Sequence, residues 1–199
     1  MKAHNQPQPF RRCAAVPLTV VALLLWLLCL IPATANAADA IQVAGTDGAV
    51  QSWTVARMKD ALAGDAKTIE YTGRGQKHTA NAVPLVALLK AAGVPVALKM
   101  DPNADPKLKN HNLRLAVVVE AGDGYTAAFS LGELMPEIGN KEVWLVLDED
   151  GKPLSQRDGL VKLVLPAEKM PARWVRDVVS ISVVDPTAAK RPTTQRAGS

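Results

Sequence analysis

Side chains that act as nucleophiles, bases or metal ligands are few in this 199-residue chain. Its two cysteines, Cys13 and Cys29, both lie near the N-terminus, and beyond that segment the only histidines are His78 and His111. The sequence has no HExxH pair, no G-x-S-x-G elbow, no P-loop and no dinucleotide-binding fingerprint. Once the N-terminal segment is removed, the chain cannot use thiolate catalysis, disulfide exchange or cysteine-ligated zinc.

An acidic run at residues 148–150 is the densest group of carboxylates. Calcium loops of the EF-hand type space their carboxylates over twelve residues. Because that spacing is missing, the run is interpreted as a solvated turn, and no metal site is predicted.

The N-terminus has the pattern of an export signal. Arg11 and Arg12 precede an apolar run over residues 14–31, and Ala35 and Ala37 then form an Ala-x-Ala cleavage site. We predict a signal peptide over residues 1–37, cleavage after Ala37 and a periplasmic protein. The alternative is a retained anchor, in which case membrane contact would occur through the uncleaved signal alone. The paired arginines leave twin-arginine and general secretory export both open.

The positive net charge of the chain belongs to its two ends. The full sequence has 23 Lys and Arg against 19 Asp and Glu. Three of the basic residues precede residue 38 and three follow Asp185, which leaves 17 basic against 19 acidic residues over 38–185. A nucleic-acid-binding domain would carry a basic patch of its own. Nucleic acid is therefore excluded as a partner.

Hydrophobic periodicity and turn residues predict a strand-rich α+β domain over residues 38–185. Thr54 caps a helix ending near residue 64, Pro84 opens a helix that Gly93 ends, and Ser130 with Glu133 forms a capping box. A loop is predicted over residues 94–112 and a disordered tail over residues 186–199. Strands are predicted at 41–43, 50–53, 68–71, 113–119, 125–129, 142–147, 160–165 and 175–184, and the strand at 142–147 is expected to be central because it is apolar on both sides.

Ordered motifs over about residues 83–184 carry a resemblance to a known family. They are Val83-Pro84-Leu85 with Leu88-Leu89 and Ala92-Gly93, then Asp123-Gly124-Tyr125, Phe129-Ser130-Leu131-x-Glu133-Leu134, Asp150-Gly151-Lys152-Pro153-Leu154, Gly159 before Leu163-Val164-Leu165-Pro166, and Arg173-Trp174-Val175-Arg176. In order and spacing this series resembles the molybdopterin-binding domain of the sulfite oxidase family. The resemblance implies that family's α+β fold.

The same resemblance implies where a cofactor would be held. Active members ligate molybdenum through a cysteine, and the matching stretch here, residues 72–78, contains none. The loop that holds the pterin and its phosphate corresponds to residues 166–176, so Lys169, Arg173 and Arg176 are candidate ligands of an anion or of the pterin phosphate. The alternative is that these cations pair with Glu168 and Asp177.

Three further residues are weighed as pocket residues. Tyr125 and Trp174 adjoin motif turns and are candidates to line a pocket, although packing in the core or at a rim is the commoner role of such side chains. His78 lies in the 72–78 stretch and is a weaker candidate for binding a cofactor, because a single histidine in a polar loop is more often solvated.

Three hypotheses for the function remain open from the sequence. The first is an exported module without molybdenum catalysis, which binds a small anionic or pterin-like ligand or a periplasmic partner protein and has no bound cofactor. The alternative is a molybdopterin-dependent oxidoreductase of the sulfite oxidase type that holds its cofactor without a cysteine. A scaffold recognised through the 94–112 loop is a third, less specific hypothesis.

Overall fold

The computed structural model describes residues 39–98 and 110–188. The predicted signal peptide, residues 99–109 of the predicted loop and residues 189–199 of the predicted tail lie outside the described residues. Two five-stranded sheets and three short α-helices make up the described part, and the predicted α+β class is confirmed. No helix in these two ranges has the length and apolar character needed to cross a membrane.

The first sheet places the last strand of the chain in its middle. It contains β1 (Ala40–Ala44), β2 (Val50–Thr54), β5 (Ala116–Ala121), β6 (Thr126–Ser130) and β10 (Val178–Val184), in the order β2-β1-β10-β5-β6. β10 pairs parallel to β1 and antiparallel to β5. Alternation sets the buried face, because Ile181 and Val183 are buried whereas Ser180 and Ser182, which alternate with them, are partly exposed.

The second sheet is built around a strand that is buried on both faces. It contains β3 (Lys67–Gly73), β4 (Gln76–Pro84), β7 (Trp144–Glu149), β8 (Lys152–Pro153) and β9 (Lys162–Val164), and β7 pairs with β4, β8 and β9. The first four residues of β7 are all buried, which confirms the prediction of a central strand here. The sequence did not predict β4. Arg74 and Gly75, with φ of 51° and 79°, form the tight turn that joins it to β3.

The helices begin where the capping residues predict. α1 (Val55–Ala61) is capped by Thr54, whose Oγ1 accepts the Arg57 N–H at 3.1 Å. α2 (Leu85–Ala91) follows Pro84, which occupies the N-cap position rather than the first turn. α3 (Leu131–Leu134) begins at Ser130 with the complete capping box.

The predicted start of the strand at 113–119 is wrong, and the last strand begins at Val178 rather than at residue 175. The alternation that predicted a strand from residue 113 begins inside a 3-10 helix, His111–Arg114, and β5 starts only at Ala116. Leu113 is exposed, whereas Leu115 and Val117 are buried, so the buried alternation starts two residues later than predicted.

Two hydrophobic clusters lie on opposite faces of the second sheet. The larger contains residues from both sheets and from all three helices, among them Met58, Leu88 and Leu131. The smaller contains the residues of the second sheet that point the other way: Tyr71, Ala80, Ala82, Trp144, Val146 and Val164, with Trp174 packed against them. Candidate functional groups gather at the smaller cluster.

Candidate functional site

A buried lysine marks the base of the site. Lys162 interrupts an apolar run in β9 and is only 8% exposed, and among the described residues no other charged side chain is classed as buried. A buried ammonium needs a counter-charge. Glu149 supplies it from the neighbouring strand β7, with Lys162 Nζ donating to Glu149 Oε1 at 2.8 Å.

The same carboxylate oxygen also accepts the phenol of Tyr71. Tyr71 lies on β3, and its hydroxyl donates to Glu149 Oε1 while the Lys162 ammonium stands 5.2 Å from the Tyr71 ring. Burial, followed by the hydrogen bond to Glu149, raises the pKa of Tyr71 well above its ordinary value. The phenol therefore stays protonated at physiological pH and keeps its hydroxyl directed at Glu149.

A histidine and a second carboxylate extend this network towards solvent. His78 Nδ1 lies 3.0 Å from Asp150 Oδ2 and 3.6 Å from Glu149 Oε1, and its ring centroid is 5.5 Å from that of Tyr71. Asp150 also accepts the Thr79 N–H at 2.9 Å. That backbone hydrogen bond, with the one from His78, lowers the pKa of Asp150. The interpretation of residues 148–150 as a solvated turn holds for Asp150, whose side chain is 53% exposed. It is wrong for Asp148 and Glu149, whose side chains are 16% and 17% exposed and are paired with lysines.

Trp174 closes one side of the site. Its ring meets Tyr71 edge to face, with centroids 5.3 Å apart, and its Nε1–H donates to the Leu165 carbonyl at 3.2 Å. The 3-10 helix Pro171–Arg173 immediately precedes it. The result is a pocket of about 380 Å³ lined by Tyr71, Gly73, Arg74, Gln76, His78, Glu149, Asp158, Lys162, Pro171, Trp174 and Arg176.

Two arginines, Arg74 and Arg176, add positive charge to this pocket, and Asp158 in the same lining offsets it only in part. Arg74 is held at the tip of the β3–β4 turn, and Arg176 is exposed next to Val175, which pairs with Leu163. Within residues 39–98 and 110–188 neither guanidinium forms an ion pair, whereas Lys162 is paired with Glu149. Three cations and two carboxylates line the pocket, which leaves it with a positive excess.

The predicted site residues separate into two groups. Arg176 and His78 line the pocket, so the 72–78 and 166–176 stretches meet there. Arg173 instead points away: its guanidinium pairs with Glu133 at 3.2 Å and with Glu168, and it lies over the ring of Phe129. The hydrogen bond with Glu168 raises the pKa of Arg173.

The other two candidates also lie outside the pocket lining. Lys169 is exposed on the loop, and Tyr125 is 45% exposed, with its hydroxyl donating to the Ala172 carbonyl. Trp174, the other aromatic candidate, does line the pocket.

Sequence patterns alone did not identify Tyr71, Glu149 or Lys162 as site residues. One signal was available for Lys162, because a lysine inside the run Leu160-Val161-Lys162-Leu163-Val164 must be buried and must find an acid. No such pattern in the sequence indicated Tyr71, because its role depends on which strand lies beside β3.

Comparison with known proteins gives a distant structural likeness. No protein-family model matches the chain, and no curated protein matches it. The chain is similar to a solved structure, the sulfane dehydrogenase SoxCD from Paracoccus pantotrophus, with a TM-score of 0.47 and 19% identity, over 75% of this chain and 39% of that one. The chain thus spans about two fifths of the length of that protein. A likeness at this level says nothing about activity.

The lining residues do not fit the metal of a molybdopterin cofactor. Molybdenum of the sulfite oxidase type is held by a soft thiolate, and none of the eleven lining residues carries sulfur. The described residues also contain no group of three His, Cys, Asp or Glu side chains arranged to hold a metal ion. The arginines, by contrast, are the donors that carboxylates and phosphates prefer.

Proposed function

We propose that this chain is an exported ligand-binding module with a sulfite oxidase-like domain, and that its pocket binds a small organic anion without molybdenum catalysis. The observation that carries the proposal is the pair Arg74 and Arg176, two guanidinium groups without an ion-pair partner among the described residues, at a pocket with a buried lysine at its base. Arginine forks bind carboxylate and phosphate groups through paired hydrogen bonds.

The size of the pocket supports an organic ligand over a bare inorganic ion. Sites for small molecules commonly enclose ~300–1,000 Å³, and this one, at about 380 Å³, is at the lower end of that range. A simple oxoanion would leave most of this space to water. A ligand the size of one or two rings would fill it.

The absence of sulfur from the lining supports a binding role over the oxidoreductase alternative. The stretch that corresponds to the cysteine segment of the family lines the pocket with Gly73, Arg74, Gln76 and His78, and none of these replaces a thiolate. No reaction step through a molybdenum centre is therefore assigned to this chain.

Metal analysis tests the proposal against its alternative. The full chain is expressed with molybdate in a host that makes the cofactor, purified from the periplasm and analysed for molybdenum by elemental mass spectrometry. We expect background molybdenum. Near-stoichiometric molybdenum would contradict the proposal and support a thiolate-free oxidoreductase.

Ligand binding is tested directly by thermal unfolding with a panel of organic carboxylates and phosphates. A ligand at about 100 times its Kd stabilises the folded state by ~2.7 kcal/mol, which raises Tm by about 5–11 °C for a domain of this size. The shift should shrink in Arg74→Gln and Arg176→Gln. It should persist in Arg157→Gln, which removes an exposed arginine outside the pocket lining.

Export is part of the proposal and has its own test. The mass of the protein recovered from the periplasm should correspond to a chain beginning at Ala38. A chain recovered from the membrane fraction with residues 1–37 intact would favour the retained anchor.

A further inference from the structure

We propose, on the basis of the proposed function, that the anion bound in this pocket is an aromatic carboxylate: a planar ring bearing a carboxylate at one end and a hydrogen-bond acceptor at the other. Three independent features of the lining carry this inference. They are the ring surfaces of the wall, the guanidinium groups of the two arginines, and the unused donors of the lysine at the base.

The two aromatic side chains of the wall offer ring surface, and the hydrogen-bond donor of each is already used. Tyr71 gives its hydroxyl to Glu149, and Trp174 gives its Nε1–H to the Leu165 carbonyl. With both donors already bonded, these two side chains present aromatic carbon to the pocket, most of it from Trp174 because Tyr71 is only 4% exposed. The two rings already pack edge to face at 5.3 Å, and a third ring adds to such a cluster in the same geometry.

The arginines select a planar anion. A guanidinium donates two parallel N–H bonds to the two oxygens of a carboxylate, a geometry that an ammonium does not provide. Arg74 is fixed by the left-handed turn at its own position, where φ is 51°, and this reduces the backbone freedom that binding would otherwise remove. Arg176 is placed by the adjoining Val175–Leu163 pair.

Lys162 has hydrogen-bond donors that an acceptor atom at the second end of the ligand could use. An ammonium has three donors, and in the described structure one of them is bonded, to Glu149 at 2.8 Å. The side chain is 10% exposed, so bulk water has little access to the remaining donors. A phenol or keto oxygen on the ligand ring would accept from one of them while the carboxylate stays at the arginines.

The probe that contains all three features is 4-hydroxybenzoate, titrated into the full-length protein while tryptophan fluorescence and heat are recorded. Two comparison ligands each lack one feature: 4-hydroxycyclohexanecarboxylate, called cyclohexanecarboxylate below, has no planar ring, and 4-hydroxybenzamide has no charge. Inorganic phosphate retains only the charge. We expect 4-hydroxybenzoate to bind at least about fivefold more tightly than cyclohexanecarboxylate. We expect it to bind at least about tenfold more tightly than the amide.

The affinities of single variants test which side chains contact the ligand. Arg74→Gln and Arg176→Gln should each weaken 4-hydroxybenzoate by about tenfold or more, whereas Arg157→Gln should change its affinity by less than about twofold. Trp174→Leu should weaken 4-hydroxybenzoate by about fivefold and leave phosphate unchanged. If Trp174→Leu does not fold, the comparison of 4-hydroxybenzoate with cyclohexanecarboxylate on the unaltered protein decides the same point.

The outcomes separate this inference from the proposed function. Equal affinity for 4-hydroxybenzoate and cyclohexanecarboxylate, with both affinities dependent on the arginines, would overturn the aromatic ligand and leave an anion-binding module. Binding of phosphate alone, at the same arginines, would also overturn it. Failure of every anion to bind at millimolar concentration would overturn both proposals.

Discussion

Replacing Glu149 by glutamine should destabilise the protein far more than loss of a surface charge does. Glutamine keeps the shape of the side chain but leaves the Lys162 ammonium, 10% exposed, without its counter-charge. Removing one partner of a buried ion pair costs ~3–5 kcal/mol. Glu149 is itself 17% exposed, so we take the lower end, about 3 kcal/mol. For a domain of this size that corresponds to a Tm lower by ~6–12 °C.

The assay is urea unfolding of the purified protein, followed by far-ultraviolet circular dichroism, for a set of four variants. Glu149→Gln is compared with Lys162→Met and with the double variant Glu149→Gln/Lys162→Met. A buried ion pair can often be replaced by neutral side chains at little cost in stability. The free energy of unfolding of the double variant should therefore lie within about 1 kcal/mol of that of the unaltered protein. Lys59→Met is the matched control: it removes a lysine that pairs with Asp148 but is 50% exposed, and it should cost about 0–1 kcal/mol.

Two results would refute this reasoning. A loss below about 1 kcal/mol for Glu149→Gln would mean that solvent already screens the pair. A double variant no more stable than Glu149→Gln alone would mean that the weaker hydrogen bond from Tyr71 to a neutral amide, rather than the unpaired ammonium of Lys162, accounts for the destabilisation.

Two further predictions concern the stability of a glycine variant and the dependence of stability on pH below 3.8. Gly159→Ala should lower the free energy of unfolding by about 2 kcal/mol or more in a urea titration, because φ is +70° and an added Cβ would lie 2.2 Å from Asp177 Oδ1. Gly64→Ala, where nothing lies within 4 Å, should be close to neutral, and equal losses at both positions would contradict the steric argument. Because the Thr79 N–H lowers the pKa of Asp150 below its ordinary 3.8, the ionised group stabilises the fold above that pH and loses this contribution as the pH falls below it. Asp150→Asn should therefore flatten the acid side of the stability–pH profile, and an unchanged slope below pH 3.8 would exclude this contribution.

The elements that the sequence predicted well are those whose signals are local. The capping box at Ser130 and Glu133 and the cap at Thr54 each involve atoms three residues apart, so nearby residue types suffice to locate them. β7 was recognisable as a central strand because four consecutive residues, from Trp144, are buried on both faces of its sheet. Local sequence is a poor guide where only one half of a strand is buried.

β4 is such a strand, and the sequence did not predict it. Its first half, Gln76 to Thr79, is mostly exposed and shows no apolar alternation, and burial begins at Ala80. The tight turn at Arg74 and Gly75 was visible as a glycine-containing loop, but a turn alone does not identify the strand that follows it. The predicted strand at 68–71 thus lacked its partner.

The candidate site was only partly accessible because it depends on strand neighbours. The family resemblance directed attention to the 72–78 and 166–176 stretches, both of which contribute to the pocket. It could not indicate that Lys162 would meet Glu149, since that contact follows from the antiparallel pairing of β9 with β7. Nor could it separate Arg176, which lines the pocket, from Arg173, which pairs with Glu133 and Glu168.

The central position of β10 determines when this domain can complete its folding. Before the segment Val178–Val184 has left the ribosome, β1 has only β2 beside it and β5 has only β6. Each hairpin then exposes an edge of unpaired N–H and C=O groups that could pair with another chain. The last strand closes both edges at once: it pairs antiparallel with β5 and parallel with β1, and the contact with β1 spans more than 130 residues of sequence. Contacts of such separation slow folding, so a chaperone that shields these edges until synthesis ends should improve the yield of folded protein, and a chain shortened before Val178 should aggregate.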